Sequence, residues 1–413
     1  MREIMTSVDI GSSKVCVMIA ELDERGQPQI IGIGKSHCSG VKKGVVVDIE
    51  ETAKSISEAV EKAESMANVS VQEVNIAIPG GYCEVIQNKG MIAVSSSNRE
   101  IGEEDIERVI DAAKIISVSQ NAEILDVIPR EYVVDGYDEI KDPMGMTGVR
   151  LEVDADIVVG SKTTVYNLVK AVNHAELGVE SIVMEPFAVA EAVLNKDEKE
   201  LGVLLIDIGA GKTDISIFKN GNLMFSHLIP VGGWHISHDI KVGLRTTFEE
   251  SEQLKIKHAK INSNSNSSFE INSLGELGKH TISEKDLTQI IHARIEELLV
   301  LIDNELTKKN LKKELLTGAV ITGGGFNYIQ GITDFSKQIL GINVRLGKPE
   351  KLTAKEPIFS TAAGILQYTL KRSFAYVPNL GHNEVSRRTI GARNRNKKGF
   401  FETIKSFWNS TIK

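Results

Sequence analysis

Two short segments of the chain carry an aspartate, small residues and a lysine in an arrangement that suits phosphate binding. They are Val8-Asp-Ile-Gly-Ser-Ser-Lys14 and Ile206-Asp-Ile-Gly-Ala-Gly-Lys212, and they share one pattern. In each, an aspartate ends an apolar strand, and a turn of small residues lets backbone N–H groups approach phosphate oxygens. Because Mg²⁺ keeps several of its waters, each aspartate can hold it through the water shell. The repeat predicts a clamp for a magnesium-bound nucleotide, whereas one copy alone would fit a tight β-hairpin equally well.

A third glycine motif strengthens the prediction of a nucleotide site. Ile321-Thr-Gly-Gly-Gly-Phe326 follows a buried apolar strand, and its glycines leave backbone accessible to a flat ligand such as adenine. By itself this motif is weak, because glycines also end strands for purely structural reasons. Together the three motifs favour nucleotide binding over structural turns.

The strands and helices that must position these motifs are predicted from apolar spacing. Outside an inserted module at 84–162, they are a hairpin at 6–19, helices at 49–67, 163–176 and 284–307, and a strand at 74–78. Inside the module, they are a helix at 103–116 and strands at 84–94, 123–134 and 149–159. This alternation indicates an α/β protein of two or three domains.

Composition and charge exclude several classes of protein. Apolar residues make up 41% of the 413 and charged residues 25%, as in ordinary globular proteins. The three cysteines (Cys16, Cys38 and Cys83) form no CxxC pair, which argues against a zinc site or disulfide scaffold and favours a reducing compartment. We expect no signal peptide and no membrane span.

The net charge of −8 is unevenly distributed along the chain. Residues 387–413 carry +7, and the remaining residues carry −15. An acidic body disfavours nucleic acid as a partner, and a basic tail suits an anionic surface.

The three motifs resemble the two phosphate motifs and the adenosine motif of the actin, heat-shock-chaperone and sugar-kinase superfamily. Met184-Glu-Pro-Phe-Ala188 and Ser360-Thr-Ala-Ala-Gly364 are similar to the two connecting helices of that fold. The resemblance implies an actin-like ATPase fold of duplicated ribonuclease-H-like domains that bind ATP and Mg²⁺. Glu252 and Lys255 would hold the ribose. Glu185 would position the attacking water as the catalytic residue; otherwise it is only an acid at a helix start.

The expected cofactor contacts come from these motifs and from the resemblance. They are Asp9, Gly11, Ser12, Ser13, Lys14, Asp207, Gly209, Gly211, Lys212, Thr213, Gly232, Gly233, Glu252, Lys255, Gly323, Gly324, Gly325 and Phe326. Asp9 and Asp207 would hold Mg²⁺ through water.

The inserted module narrows the resemblance. Residues 99–114 and the segment Val127-Ile-Pro-Arg-Glu-Tyr132 are similar to the relocated subdomain of FtsA, the bacterial cell-division actin. This resemblance covers about residues 4–370 and returns at the C-terminus, and it implies filaments with slow ATP hydrolysis or none. The implied subdomains are 1A at 1–83, 163–195 and 360–378, 1C at 84–162, 2A at 196–240 and 319–359, and 2B at 241–318, then a linker at 379–397 and a helix at 398–413.

The last predicted helix has an apolar face and follows a segment rich in basic residues. Its apolar stripe consists of Phe400, Phe401, Ile404, Phe407, Trp408 and Ile412. At about 14 residues it is too short to span a bilayer, and the basic residues before it would be attracted to anionic lipid. We expect an amphipathic membrane-binding helix, as at the end of FtsA. The alternative is that it packs on the core of the protein itself.

The resemblance also implies partners and a location. FtsA binds the C-terminal tail of FtsZ through subdomain 2B, and Arg294 is the expected contact for a carboxylate-bearing peptide. The alternative is that Arg294 pairs with Glu297 on its own helix. The chain would tether FtsZ filaments to the cytoplasmic face of the membrane at the division site, polymerise with itself and recruit other division proteins. Competing functions are a pilus-assembly relative, a small-molecule kinase and a chaperone ATPase of the same fold.

Overall fold

The structure is a computed structural model and describes residues 4–23, 26–262, 267–272, 279–326, 328–349 and 356–374. The predicted linker at 379–397 and the tail helix at 398–413, with its six apolar residues, lie outside the described residues. Within the described ranges, each helix is too short or too polar to traverse a lipid bilayer.

The first half of the chain is built around one sheet. Its elements are β1 (Ile4–Ile10), β2 (Lys14–Leu22), β3 (Pro28–His37), β4 (Val41–Lys42), β5 (Val45–Val46), α1 (Ile49–Ala67), β6 (Glu73–Ile78), a 3₁₀ turn (Gly80–Tyr82), β7 (Cys83–Ala93), α2 (Glu103–Ala113), β8 (Ala122–Val134), β9 (Tyr137–Ile140), β10 (Arg150–Ser161), α3 (Lys162–His174), β11 (Gly178–Met184), α4 (Glu185–Val193) and α5 (Lys196–Leu201). The sheet has five strands in the order β3-β2-β1-β6-β11. The central strand β1 pairs antiparallel with β2 and parallel with β6.

The second half of the chain repeats this topology. Its elements are β12 (Val203–Ile208), β13 (Thr213–Lys219), β14 (Asn222–Ile229), α6 (Gly233–Leu244), α7 (Phe248–His258), β15 (Ser268–Asn272), β16 (Lys279–Ser283), α8 (Glu284–Lys308), a 3₁₀ turn (Lys312–Glu314), β17 (Ala319–Thr322), α9 (Ile332–Leu340), β18 (Val344–Leu346), a 3₁₀ turn (Pro357–Phe359) and α10 (Ser360–Phe374). The strand order of its sheet is β14-β13-β12-β17-β18. The central strand β12 again pairs antiparallel with β13 and parallel with β17, so the duplication predicted from the motifs is confirmed at the level of strand order.

Local sequence signals set the limits of several helices. The carboxylate of Asp48 accepts a hydrogen bond from the N–H of Glu51 at 3.0 Å, which caps the start of α1. The helix ends where Asn68 adopts a left-handed conformation with φ of 53°. The prediction for 49–67 is therefore confirmed. The predicted helix at 103–116 ends earlier, at Ala113, because the N–H of Lys114 turns back to the carbonyl of Asp111 and the regular helix stops.

The module between β6 and α3 forms a separate antiparallel sheet in the order β7-β10-β8-β9. Helix α2 packs closely on this sheet at Gly90, where an added Cβ would lie 2.1 Å from the carbonyl oxygen of Val109. The absence of a side chain at Gly90 therefore permits the helix to approach the strand, which supplies an apolar layer of its own for the module.

Three apolar clusters hold the two halves and the region between them. One lies under α1 and α3 in the first half, and another lies around the long helix α8 in the second half. The third joins the halves through α4 and α10, the two helices predicted as connections. These helices touch through backbone, since a Cβ on Gly364 would lie 2.0 Å from the carbonyl oxygen of Ala188. The crossing of α4 and α10 therefore sets the spacing of the halves around the predicted site.

Candidate functional site

The two phosphate-type turns adopt the same local geometry. The N–H of Gly11 donates to the carbonyl of Lys14 at 2.9 Å, and the N–H of Gly209 donates to the carbonyl of Lys212 at 2.9 Å. In both hairpins the motif aspartate pairs with the residue two positions after the lysine. The similarity seen in the sequence is therefore a similarity of backbone conformation and of strand register.

These turns and the glycine loop after β17 line one cavity between the halves. The empty space there is about 730 Å³, part of it open solvent. The predicted residues that line it are Asp9, Gly11, Ser12, Ser13, Lys14, Glu185, Asp207, Gly209, Gly211, Lys212, Gly233, Glu252, Lys255, Gly323, Gly324 and Gly325. Residues from widely separated parts of the sequence thus meet at one site, as the clamp hypothesis requires.

Three of the predicted contacts lie outside this lining, and each has a structural reason. Thr213 is fully buried at the start of β13, and its hydroxyl donates to the carbonyl of Val231 at 2.7 Å. Phe326 is 1% exposed and packs in the core of the second half. Gly232 precedes α6 and lies against the second turn, where a Cβ would come within 2.7 Å of the carbonyl of Ala210. These residues support the loops rather than line the cavity.

Several lining residues were not predicted from the sequence. They are Ala210, Tyr328, Pro357, Ile358 and Thr361. Ala210 lies inside the second turn and could have been included with its neighbours. The other four come from loops after the glycine motif and from the start of α10, and no pattern in their types or spacing indicates a site.

The predicted ribose residues form a buried ion pair beside α6. The Lys255 ammonium donates to the carbonyl of Gly233 at 3.0 Å, to the hydroxyl of Ser237 at 2.8 Å and to the Glu252 carboxylate at 2.8 Å. Ser237 also donates to Glu252. Burial lowers the pKa of Lys255, and the nearby carboxylate of Glu252 opposes that effect. Lys255 therefore fixes Glu252, whose side chain stays partly exposed at the cavity.

Carboxylates crowd the opposite side of the cavity. The ammonium of Lys212 lies 2.6 Å from the Glu185 carboxylate and also pairs with Asp214, the residue opposite Asp207 in the hairpin. Glu185 is the first residue of α4, with Pro186 next to it. The prediction that Glu185 begins a helix at the cleft is confirmed, and its catalytic role stays a prediction.

Burial and mutual repulsion raise the proton affinity of these acids. Burial, followed by repulsion from Glu185, raises the pKa of Asp9 to about 7 and that of Asp207 to about 8. Burial also raises the pKa of Asp214 to about 6, although the Lys212 ammonium opposes this rise. A site that accumulates carboxylates in this way is built to receive positive charge.

Comparison with known proteins identifies the family. Residues 204–364 match the family model described as cell division protein FtsA, and residues 80–159 match the model of the SHS2 domain inserted in FtsA. The FtsA of Bacillus subtilis is 38% identical over 374 residues, which cover 90% of this chain and 84% of that protein. The FtsA of Escherichia coli is 31% identical over 382 residues, which cover 89% of this chain and 90% of that protein. The chain belongs to the FtsA family. Its role is therefore in cell division, and the predicted resemblance is confirmed.

Solved structures confirm the actin-like fold of this FtsA-family chain. The PilM-PilN type IV pilus biogenesis complex matches with a TM-score of 0.59 at 15% identity, covering 88% of this chain and 98% of that chain. MreB5 of Spiroplasma citri bound to AMPPNP matches with a TM-score of 0.56 at 16% identity, and the match covers 90% of this chain and 98% of that chain. At such identities the likeness concerns the fold alone.

The expected partner residue of the FtsA-family chain is already paired within the chain. The guanidinium of Arg294, on α8, donates to both carboxylate oxygens of Asp239 at 2.5 and 3.1 Å. It also pairs with Glu297 one turn along the same helix. The alternative pairing considered from the sequence is therefore present, and a role in partner binding stays a prediction.

The raised pKa values predict how the stability of this FtsA-family chain depends on pH. A carboxyl group whose pKa is higher in the folded state than in the unfolded state stabilises the folded state. This stabilisation is complete below the pKa of the unfolded state, which is near 3.8 for aspartate. It is lost as the pH rises through the pKa of the folded state. Without Mg²⁺ or nucleotide, we expect stability to fall between about pH 4 and 8, by up to about 1.4 kcal/mol per pH unit for each such carboxyl.

Urea denaturation at several pH values checks this expectation. Asp207→Asn removes one of the titrating groups, so its stability should fall less steeply over the same interval. Equal slopes for the original chain and the Asp207→Asn variant would contradict the assignment of a raised pKa to Asp207.

Proposed function

We propose that the chain binds ATP with Mg²⁺ in the cavity between its halves. The observation that carries this proposal is that two hairpins of the same geometry and a glycine loop line one cavity. The backbone N–H groups of the turns suit phosphate oxygens. Glu252 suits the ribose hydroxyls, because a carboxylate accepts hydrogen bonds from them.

The acids of the cavity fit a hydrated magnesium ion. Asp9 and Asp207 end equivalent strands and face the same cavity. In the described part of the chain, no three His, Cys, Asp or Glu side chains are close enough to hold a metal directly. Contact through water agrees with the preference of Mg²⁺ for a nearly complete hydration shell. When bound, the ion would neutralise phosphate charge, and these two residues would orient its waters.

We further propose that the chain anchors FtsZ filaments to the cytoplasmic face of the membrane at the division site. Support comes from membership of the FtsA family and from the apolar stripe and basic approach of the tail. Burying one large apolar side chain contributes roughly 1.5–3 kcal/mol, so six of them can outweigh the cost of ordering a short helix. Each basic residue near anionic lipid adds about 1 kcal/mol.

The FtsZ tail, further copies of the chain and other division proteins are the proposed partners. Arg294 remains the proposed contact for the FtsZ tail, because a guanidinium is a permanently charged, two-pronged donor for carboxylates. An incoming acidic peptide would have to share or replace Asp239 and Glu297, which already bind Arg294. ATP would control filament assembly, with slow hydrolysis or none.

Co-sedimentation with anionic vesicles in Mg-ATP tests the tether. We compare the full chain with a chain truncated after Lys398, each with and without FtsZ. We expect only the full chain to pellet and to carry FtsZ with it, since the truncation removes all six apolar side chains of the stripe. Arg294→Ala in the full chain should still pellet but carry less FtsZ.

The controls separate membrane binding from folding. Trp408→Phe keeps the apolar stripe and should pellet like the original chain, and urea denaturation should give the truncated chain the stability of the full one. Equal sedimentation of the full and truncated chains would overturn the tether and favour a cytosolic actin-fold ATPase of the pilus-assembly type. ATP consumption stimulated by a small-molecule acceptor would favour a kinase.

A further inference from the structure

The two lysines that end the equivalent turns have different surroundings. Lys14 lies against the glycine loop, where its ammonium would be 3.0 Å from a Cβ on Gly324. Lys212 instead lies 2.6 Å from the Glu185 carboxylate and pairs with Asp214. The Lys212 side chain is 12% exposed. A difference at matched positions of a duplicated site indicates a separate role for Lys212.

Lys212 is a charged group among acids. It lines the cavity together with Asp9, Glu185 and Asp207. It also pairs with Asp214, two residues further along the chain in β13. Burial alone would lower the pKa of Lys212, but the carboxylates of Asp214, Glu185 and Asp207 raise it above its usual value. The side chain is therefore an ammonium at neutral pH.

We propose that Lys212 is a built-in cation that holds Glu185 in an ion pair and thereby keeps nucleotide hydrolysis slow. The inference rests on the proposed binding of ATP and adds a mode of regulation to the same site. A charge-assisted hydrogen bond is about twice as strong as a neutral one, so Lys212 restrains Glu185 firmly. The same ammonium offsets the repulsion among the acids when no divalent cation is present.

The restraint acts on one step of hydrolysis. In that step the oxygen of a water molecule bonds to the terminal phosphorus of ATP while the bond from that phosphorus to the bridging oxygen breaks, which gives ADP and phosphate. The proton of the water passes to an acceptor, for which the carboxylate of Glu185 is the candidate in the cavity lining, and then to the phosphate product. The Lys212 ammonium binds Oε2 of Glu185, so the ion pair fixes the orientation of the carboxylate and hinders it from turning towards the water to orient it and accept that proton.

The variants that test this role are Lys212→Gln and, as a matched control, Lys219→Gln. Lys219 lies at the other end of β13, and its ammonium pairs with Glu314 at 2.7 Å, away from the cavity. Each variant removes the lysine of one ion pair. Lys212 directly precedes β13, and Lys219 is the last residue of that strand. If Lys212→Gln fails to fold, the double variant Lys212→Gln with Asp214→Asn replaces it, because it removes one charge of each sign and still frees Glu185.

The first readout needs no nucleotide. We measure the melting temperature of each protein in EDTA and in Mg²⁺. Lys212→Gln leaves the acids without their counter-charge, so we expect a lower melting temperature in EDTA that Mg²⁺ largely restores. The original chain and Lys219→Gln should respond little to Mg²⁺. Equal responses of all three proteins would overturn the role of Lys212 as a counter-charge.

The second readout separates binding from turnover. Titration with fluorescently labelled ATP gives the affinity, and phosphate release under saturating Mg-ATP gives the rate. We expect Lys212→Gln to release phosphate on the order of tenfold faster than the original chain. Adding Glu185→Gln should remove the gain, because the two residues act through one ion pair. An unchanged or lower rate with binding retained would overturn the restraint.

Failure of this inference can be told from failure of the proposed function. If the original chain binds no labelled ATP, the nucleotide proposal is wrong, and the melting temperatures in EDTA and Mg²⁺ still decide whether Lys212 serves as the counter-charge. If it binds ATP and Lys212→Gln does not gain turnover, only the restraint of Glu185 is wrong.

Discussion

Replacing Gly324 with valine should strongly weaken ATP binding while leaving the protein folded. Gly324 lies at the centre of the glycine loop and lines the cavity. Among the described residues, an added Cβ there would come within 4 Å of only the flexible end of Lys14, at 3.0 Å, and Ile358, at 4.0 Å, so the backbone can stay in place. The two methyl groups would fill space that the proposed nucleotide needs. We expect binding to weaken at least about a hundredfold, which corresponds to about 2.7 kcal/mol.

The neighbouring glycines are less suitable for this test. Gly323 has a φ of +90°, and a Cβ there would lie 2.3 Å from a carboxylate oxygen of Asp207. A Cβ on Gly325 would lie 2.7 Å from the carbonyl of Gly209. Either substitution would damage the loop itself, so a loss of binding could not be assigned to the cavity.

Titration with labelled ATP and urea denaturation together check the Gly324 prediction. Gly102→Val is the matched control, because a Cβ at Gly102 meets no atom within 4 Å in the part of the chain that the structure describes. Both variants should unfold at nearly the urea concentration of the original chain, and only Gly324→Val should lose binding. Retention of full affinity by Gly324→Val would mean that the nucleotide does not use this loop.

Replacing Gly364 with alanine should strongly destabilise the whole protein. Gly364 lies in α10 where that helix crosses α4, and an added methyl carbon would lie 2.0 Å from the carbonyl oxygen of Ala188. Neither helix can relieve this contact by rotating a side chain, because backbone meets backbone. Alanine favours an isolated helix over glycine by about 1 kcal/mol, but forced separation of the helices costs more. We expect the free energy of unfolding to fall by about 3 kcal/mol.

The same substitution should also weaken nucleotide binding. Glu185 begins α4 and Thr361 lies near the start of α10, and both line the cavity. Moving the crossing apart displaces both sides of the site together. Gly243→Ala in α6 is the control, since the side chain of Ile290 is the only described group that its methyl carbon would meet. Urea denaturation gives the free energy of unfolding of Gly364→Ala and of Gly243→Ala. Equal values for the two variants would show that the α4–α10 contact relaxes without cost.

The crossing also links the two proposals made for the cavity. Lys212 binds Glu185 at the first residue of α4, and α4 continues to the contact with Gly364. A substitution that shifts α4 therefore changes the position of Glu185 relative to Lys212. The Lys212 variants act on charge alone, so comparing them with Gly364→Ala separates an electrostatic effect on turnover from a positional one.

Features that depend on interactions between near neighbours in the chain could be predicted from the amino-acid sequence. Each Asp-Ile-Gly segment forms its hairpin through a hydrogen bond across four residues, so the turn is encoded within the motif. The limits of α1 follow from Asp48 and Asn68 at its ends. Glu252 and Lys255 are three residues apart on one helix, a spacing that brings them into contact. The duplication of the sheets was visible because both copies kept these local signals.

Which side chains face the cavity depends on long-range packing and could not be predicted from local patterns. Thr213 and Phe326 belong to the predicted motifs, yet packing in the second half turns them inward. Tyr328, Ile358 and Thr361 reach the site from other segments and carry no local signal for binding. The ion pair of Lys212 with Glu185 joins residues from the two halves of the chain, 27 positions apart. Such contacts depend on how α4 and the second hairpin pack together, and that packing is set by the whole core rather than by the residues of either segment.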